Sequence, residues 1–220
     1  EASEDTGESI APEQANDVIQ DLTYVAFLKD YGPDADMTIE MPEGYDPSPF
    51  YNSCLNPLNV ENVTGQTIWS PEMMITYGKT PEGRYMINWP IYGNDCYLNV
   101  IEMSREDREE ALKEAKRFTL SFVYFIQTQL GMKNLGLADD VFPTPDKLPP
   151  YHRESRRIVG EAFFTMDAAA DPYAYKEPLY RTGVAVGDYP VDHHHFRHPD
   201  WRELPDLEFY PIPSFNVPMG

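Results

Sequence analysis

The sequence predicts an α+β fold: mainly antiparallel sheet packed against one long helix, with long proline-rich loops. Three observations carry this. The segment 105–130 repeats apolar residues three and four apart, the spacing of a helix with one buried face. Elsewhere, short runs of β-branched and aromatic residues are separated by turn residues, without the regular strand–helix alternation of a doubly wound sheet. The 21 prolines and 13 glycines among 220 residues require much of the chain to be loop.

Residues 1–16 are acidic and weakly hydrophobic and read as a lead-in; 17–220 then form a single domain. Leu22-Thr-Tyr-Val-Ala-Phe-Leu28 is rich in strand formers and is stopped by Tyr31-Gly32-Pro33, which predicts one strand. In 32–66, Pro42, Pro47, Pro49 and Pro57 forbid long regular elements, and Tyr45, Phe50 and Tyr51 are expected to pin this excursion to the core. Lys79-Thr-Pro-Glu-Gly-Arg84 has the composition of a tight turn, predicting a hairpin between 73–77 and 85–89.

The long helix has the clearest punctuation. Ser104 and Asp107 form a capping pair, and Glu106, Asp107, Glu109 and Glu110 sit at its positive end. Leu112, Ala115, Thr119, Phe122, Ile126 and Leu130 make the buried stripe, and Gly131 is the C-cap. Residues 132–150 read as a second proline-rich crossing. Strands are then expected at 157–165, 182–186 and 207–212.

Composition narrows the function. Thirty-seven acidic residues against 17 basic ones give a net charge of -20, which disfavours nucleic-acid backbones and anionic lipid surfaces. Mean hydropathy is -0.53, and the most apolar stretch, 118–126, is interrupted by Thr119, Ser121 and Tyr124, so no membrane span is expected. The opening Glu1-Ala-Ser-Glu-Asp5 has neither a basic nor an apolar leader segment, as expected of an internal or processed segment. Cys54 and Cys96 form no CxxC pair and read as buried or half-buried thiols.

Polar clusters late in the chain are the candidates for chemistry. Asp192-His193-His194-His195-Phe196-Arg197-His198 holds four of the five histidines, and on a strand His193 and His195 would share a face. Their spacing matches no metal signature, so no metal is expected; solvated histidines at a strand end are the plainer reading. Arg153, Arg156 and Arg157 interleave with Glu154 and Glu161. Such guanidinium forks either pair internally or clamp an anionic group in a pocket. Asp188 and Tyr189 follow Gly187 where an apolar strand ends, a position suited to a binding loop or to a turn. Trp69, Trp89, Tyr92, Tyr97, Trp201 and Tyr210 could stack on sugar rings or fill the core. Neither a G-x-G-x-x-G, a Walker loop, a G-x-S-x-G elbow nor an H-E-x-x-H motif occurs.

Arg153-Glu-Ser-Arg-Arg-Ile-Val-Gly-Glu161, Val184-Ala-Val-Gly-Asp-Tyr-Pro190 and Tyr210-Pro-Ile-Pro-Ser-Phe215, with Asp21–Leu28, Gly44–Pro47, Asn88–Tyr97 and the long helix, together resemble an FAD-dependent oxidoreductase family common in gut Bacteroidetes. Some of its members carry the label xanthan lyase. The resemblance implies a two-part enzyme in which other segments hold FAD and this stretch is the substrate-binding cap. FAD is then expected in the full-length protein but not on this chain alone, whose partner is the FAD-binding domain of the same polypeptide. The substrate is a small molecule, sugar-derived if the family's labels hold. From chemistry rather than from the family, His193 or His195 is the candidate base, with Asp192 fixing its tautomer. Arg153, Arg156, Asp188 and Tyr189 are the candidate substrate contacts. A self-contained carbohydrate-binding or polysaccharide-degrading module is the alternative.

Overall fold

A computed structural model describes residues 19–58, 69–89, 92–142 and 147–152. The chain divides into two units, Asp21–Glu154 and a second comprising Glu1–Gln20 with Ser155–Gly220. Every described element lies in the first. In order these are β1 (Leu22–Tyr24), β2 (Ala26–Asp30), a 3-10 turn (Ser48–Phe50), α1 (Pro71–Tyr77), β3 (Arg84–Ile87), β4 (Asp95–Cys96), α2 (Arg105–Thr128), β5 (Leu135–Leu137) and β6 (Pro150–Tyr151). Helices and antiparallel sheet together make the unit α+β. The expected strands at 157–165, 182–186 and 207–212 and the lead-in at 1–16 lie outside the described residues.

The single expected strand over 22–28 is two strands in two sheets. β1 is the centre of β4-β1-β6 and β2 the centre of β3-β2-β5, all neighbours antiparallel. The switch falls at Tyr24–Val25. There the Tyr24 carbonyl accepts from Asn94 Nδ2 at 2.9 Å and Thr119 Oγ1 at 2.8 Å, and the Val25 N–H donates to the Pro149 carbonyl at 2.9 Å. Asn94 also donates to the Ile87 carbonyl at 3.0 Å and accepts from the Trp89 N–H at 2.9 Å. One fully buried amide thus ties β1, the end of β3 and the approach to β4 together, satisfying groups the ladders leave open.

α2 matches its sequence signals closely. Ser104 Oγ accepts from the Asp107 N–H at 3.1 Å and donates to its carboxylate at 2.8 Å. The helix closes with the Met132 N–H bonded to the Ile126 carbonyl at 3.2 Å across Gly131, whose φ is 74°. Ala115, Thr119, Phe122 and Ile126 are buried, as the stripe requires. Val123, Phe125 and Gln127 are buried too: Phe125 lies against Phe50, and Gln127 accepts from the Ile39 N–H at 3.0 Å and donates to the Met37 and Leu135 carbonyls at 2.8 and 2.7 Å. Phe50 is fully buried, 5.1 Å from the Phe118 and Phe122 rings and 5.6 Å from Phe125, while Tyr45 meets Tyr124 edge-on at 4.8 Å. On the remaining side, Leu22, Tyr24, Ala26, Leu28 and Ile87 bring the strands into the same core.

The expected hairpin is half right. The turn forms, with Thr80 N–H donating to the Arg84 carbonyl at 2.8 Å and Gly83 at φ 72°. Its first arm, however, is helix α1 rather than a strand. Ser70 Oγ caps the Met73 N–H at 3.2 Å, Pro71 occupies the first helical position and Glu72 the first turn. These three start signals outweigh the strand-like look of Met73–Tyr77. The crossing at 132–150 also carries β5 and the start of β6, strands of three and two residues. Both cysteines remain thiols, Cys54 buried and Cys96 half-buried. None of the described helices is long and apolar enough to cross a membrane.

Candidate functional site

Two surface features of the Asp21–Glu154 unit gather chemistry. The first is aromatic. Trp69, at the entry to α1, Tyr77, at its end, and Trp89, just beyond β3, are in mutual ring contact: Trp69–Trp89 at 5.3 Å, Trp69–Tyr77 at 5.5 Å and Tyr77–Trp89 at 5.7 Å, inclined by 55–77°. The Trp89 indole N–H donates to the Ser53 carbonyl at 2.8 Å, and the Trp69 carbonyl accepts from the Leu55 N–H at 2.6 Å. The cluster is therefore held by the same loop that carries Phe50. Met74 and Ile75 turn inward on α1, leaving Glu72, Met73, Thr76 and Tyr77 on its open face. Tyr77 is 63 % exposed, Met73 52 % and Leu55 62 %. Backbone and Ser70 hydrogen bonds hold the Glu72 carboxyl below the usual range, so it is ionised.

The second feature is a cavity of about 320 Å³ lined by Phe27, Thr80, Glu82, Arg84, Asp140 and Val141. The Arg84 guanidinium grips Asp140 in a bidentate pair and donates to the Glu82 carbonyl at 2.7 Å. Lys29 Nζ adds a 4.0 Å contact to the same carboxylate. The hydrogen bond to Arg84 holds the Asp140 carboxyl below its ordinary value. With Arg84 committed in this way, the pair works as a clasp between β3 and the segment after β5. It is not a receptor for an incoming anion.

Arg153, Arg156, Asp188, Tyr189, Asp192, His193 and His195 all lie outside the described residues, as do Trp201 and Tyr210. Of the aromatic set, the structure brings Trp69 and Trp89 together. Tyr77 and Met73 were missed because they were read as strand. The signal that could have found them is Ser70-Pro-Glu72, which starts a helix and so places residues 73 and 77 on one face. Cys54 offers no reactive thiolate, since burial pushes its thiol up.

Residues 3–220 match the family described as FAD dependent oxidoreductase, and the chain belongs to that family. No curated protein and no solved structure matches it.

Membership implies FAD, and the described helices can be tested for its pyrophosphate, which such proteins seat on a helix N-terminus reached through a glycine-rich turn. α2 opens with Glu106 and Asp107, and its Asp107 N–H is already taken by Ser104. α1 has seven residues, opens with Glu72, and has its Met73 N–H capped by Ser70. Both ends repel phosphate. All the described strand pairings are antiparallel, so no parallel switch-point crevice forms among them. The described residues do not fit FAD. Nor do they include a cluster of three His, Cys, Asp or Glu side chains able to hold a metal ion.

Proposed function

We propose that this chain is the substrate-binding part of an FAD-dependent oxidoreductase, inert by itself, whose cofactor is held by other segments of a longer polypeptide. The family match over residues 3–220 carries this reading. It is supported by the acid-capped helix starts and by the absence of a G-x-G-x-x-G run from the sequence. The narrower grouping with gut Bacteroidetes proteins labelled xanthan lyase belongs to the same proposal and points to a sugar-derived substrate.

In an enzyme of this class the flavin is the oxidant, while the substrate part binds, orients and takes a proton. Arg153 and Arg156 provide planar forks for an anionic or multiply hydroxylated substrate group, and Asp188 and Tyr189 add an acceptor and a donor. His193 or His195 is the base, with Asp192 holding the imidazole in the accepting tautomer. The test is rapid-mixing reduction of the flavin in the full parent polypeptide. His193→Ala or His195→Ala is expected to slow it by about a hundredfold or more, the usual worth of a positioned base. If both variants reduce flavin at the parental rate, the histidine assignment fails.

A further inference from the structure

We infer that Trp69, Tyr77 and Trp89, with the Glu72 carboxylate exposed on the same helix as Tyr77, form a docking surface for a neutral sugar ring. This deepens the preceding proposal by naming the substrate class, and it rests on that proposal only for the place of binding in the reaction. Of the six large hydrophobic side chains exposed among the described residues, Met73 and Tyr77 lie one turn apart on α1 and Leu55 follows the Ser53 that bonds Trp89. The Trp89 ring is held by its N–H bond to the Ser53 carbonyl, and the Leu55 N–H bond to the Trp69 carbonyl fixes the backbone beside it.

Ring centroids 5.3–5.7 Å apart mean that the rings touch one another. No space is left among them for an enclosed ammonium group, so a cation cage is excluded. A ligand must lie on top, against the open faces of Tyr77 and the half-exposed Trp69 and Trp89. Those faces carry the negative end of the ring quadrupole and attract the polarised C–H bonds of a pyranose. Charge selects among flat ligands. Ionised Glu72 and a chain with a net charge of -20 oppose phosphates, flavin nucleotides and uronic acids. The same carboxylate accepts hydrogen bonds from hydroxyl donors, which a neutral sugar supplies in number.

The 220-residue chain is titrated with neutral hexasaccharides of glucose, mannose and xylose, and in parallel with an oligogalacturonate and FAD, following tryptophan fluorescence. A saturable change with at least one neutral sugar is expected, together with a weaker response to the charged probes. Tyr77→Ala, at an exposed position whose loss leaves the core intact, should weaken binding on the order of fivefold or more. Met41→Ala, which removes an exposed apolar side chain elsewhere, should not change it. Thermal melts confirm that each variant is folded. No response to any neutral sugar, equal affinity for the oligogalacturonate, or binding indifferent to Tyr77→Ala each overturns the inference. Concentration-dependent self-association abolished by Tyr77→Ala would also overturn it, assigning the patch to a second copy of the chain. None of these outcomes touches the flavoprotein reading, which flavin reduction in the parent polypeptide decides separately.

Discussion

Asn94 holds three backbone groups at the junction of the two sheets. Its amide serves the carbonyls of Tyr24 and Ile87 and the N–H of Trp89, all where the chain passes from one sheet to the other. Removing it strands buried groups rather than merely deleting contacts. Asn94→Ala is expected to cost about 3 kcal/mol, read as a lower urea midpoint at unchanged slope. Glycine at 78 is required for a different reason. A Cβ there would lie 1.9 Å from the Met86 carbonyl oxygen, a backbone atom with no rotamer by which to move aside. The aspartates set the acid limit. Asp30, Asp36 and Asp46 each accept the N–H of the second residue onward (Gly32, Thr38 and Ser48), and these bonds, with Arg84 beside Asp140, hold all four carboxyls below the ordinary carboxylate value. As pH falls through the ordinary carboxylate range the folded state therefore binds fewer protons than the unfolded state, and stability rises with pH there. Urea midpoints should be flat above about pH 5 and should fall as pH drops below the ordinary carboxylate value. A midpoint that holds or rises on acidification contradicts this assignment.

At the scale of elements, Phe50 and α2 determine each other's burial. Phe50 belongs to a three-residue 3-10 turn with no stability of its own, yet its ring fills the gap between Phe118, Phe122 and Phe125. Phe50→Ala is expected to destabilise the unit by about 3–5 kcal/mol and to loosen the loop that also anchors Trp89. The readouts are a chemical melt and a red shift in tryptophan emission. That loop's attachment was legible in advance, since three aromatics in a proline-spaced segment have few uses besides packing. α2 was legible from end to end, because cap, charge gradient, stripe and terminal glycine agree with one another. The break between β1 and β2 was not. Its cause is two side chains, Asn94 and Thr119, about seventy and ninety-five residues away in sequence, which no local pattern reports. α1 was misread because its helix signals are confined to three residues at its start. β5 and β6, with three and two residues, are too short for periodicity to speak.

For the whole molecule, the acidic balance and the acid-capped helix starts describe the same electrostatics at two ranges. Each lowers the local concentration of phosphate, and neither describes a surface made to grip a dinucleotide. In the proposed division of the enzyme, redox chemistry falls to flavin-holding segments and recognition to the unit described. The candidate site was legible only in part. Its two tryptophans stood out by type, but their convergence with Tyr77 depends on α1 being a helix. The most direct measurement is an equilibrium titration of FAD into the purified 220-residue chain, followed by flavin fluorescence and by absorbance after desalting. The result expected is no retained flavin and no saturable quenching. A yellow protein holding one FAD per chain would contradict the division of labour on which the functional reading rests.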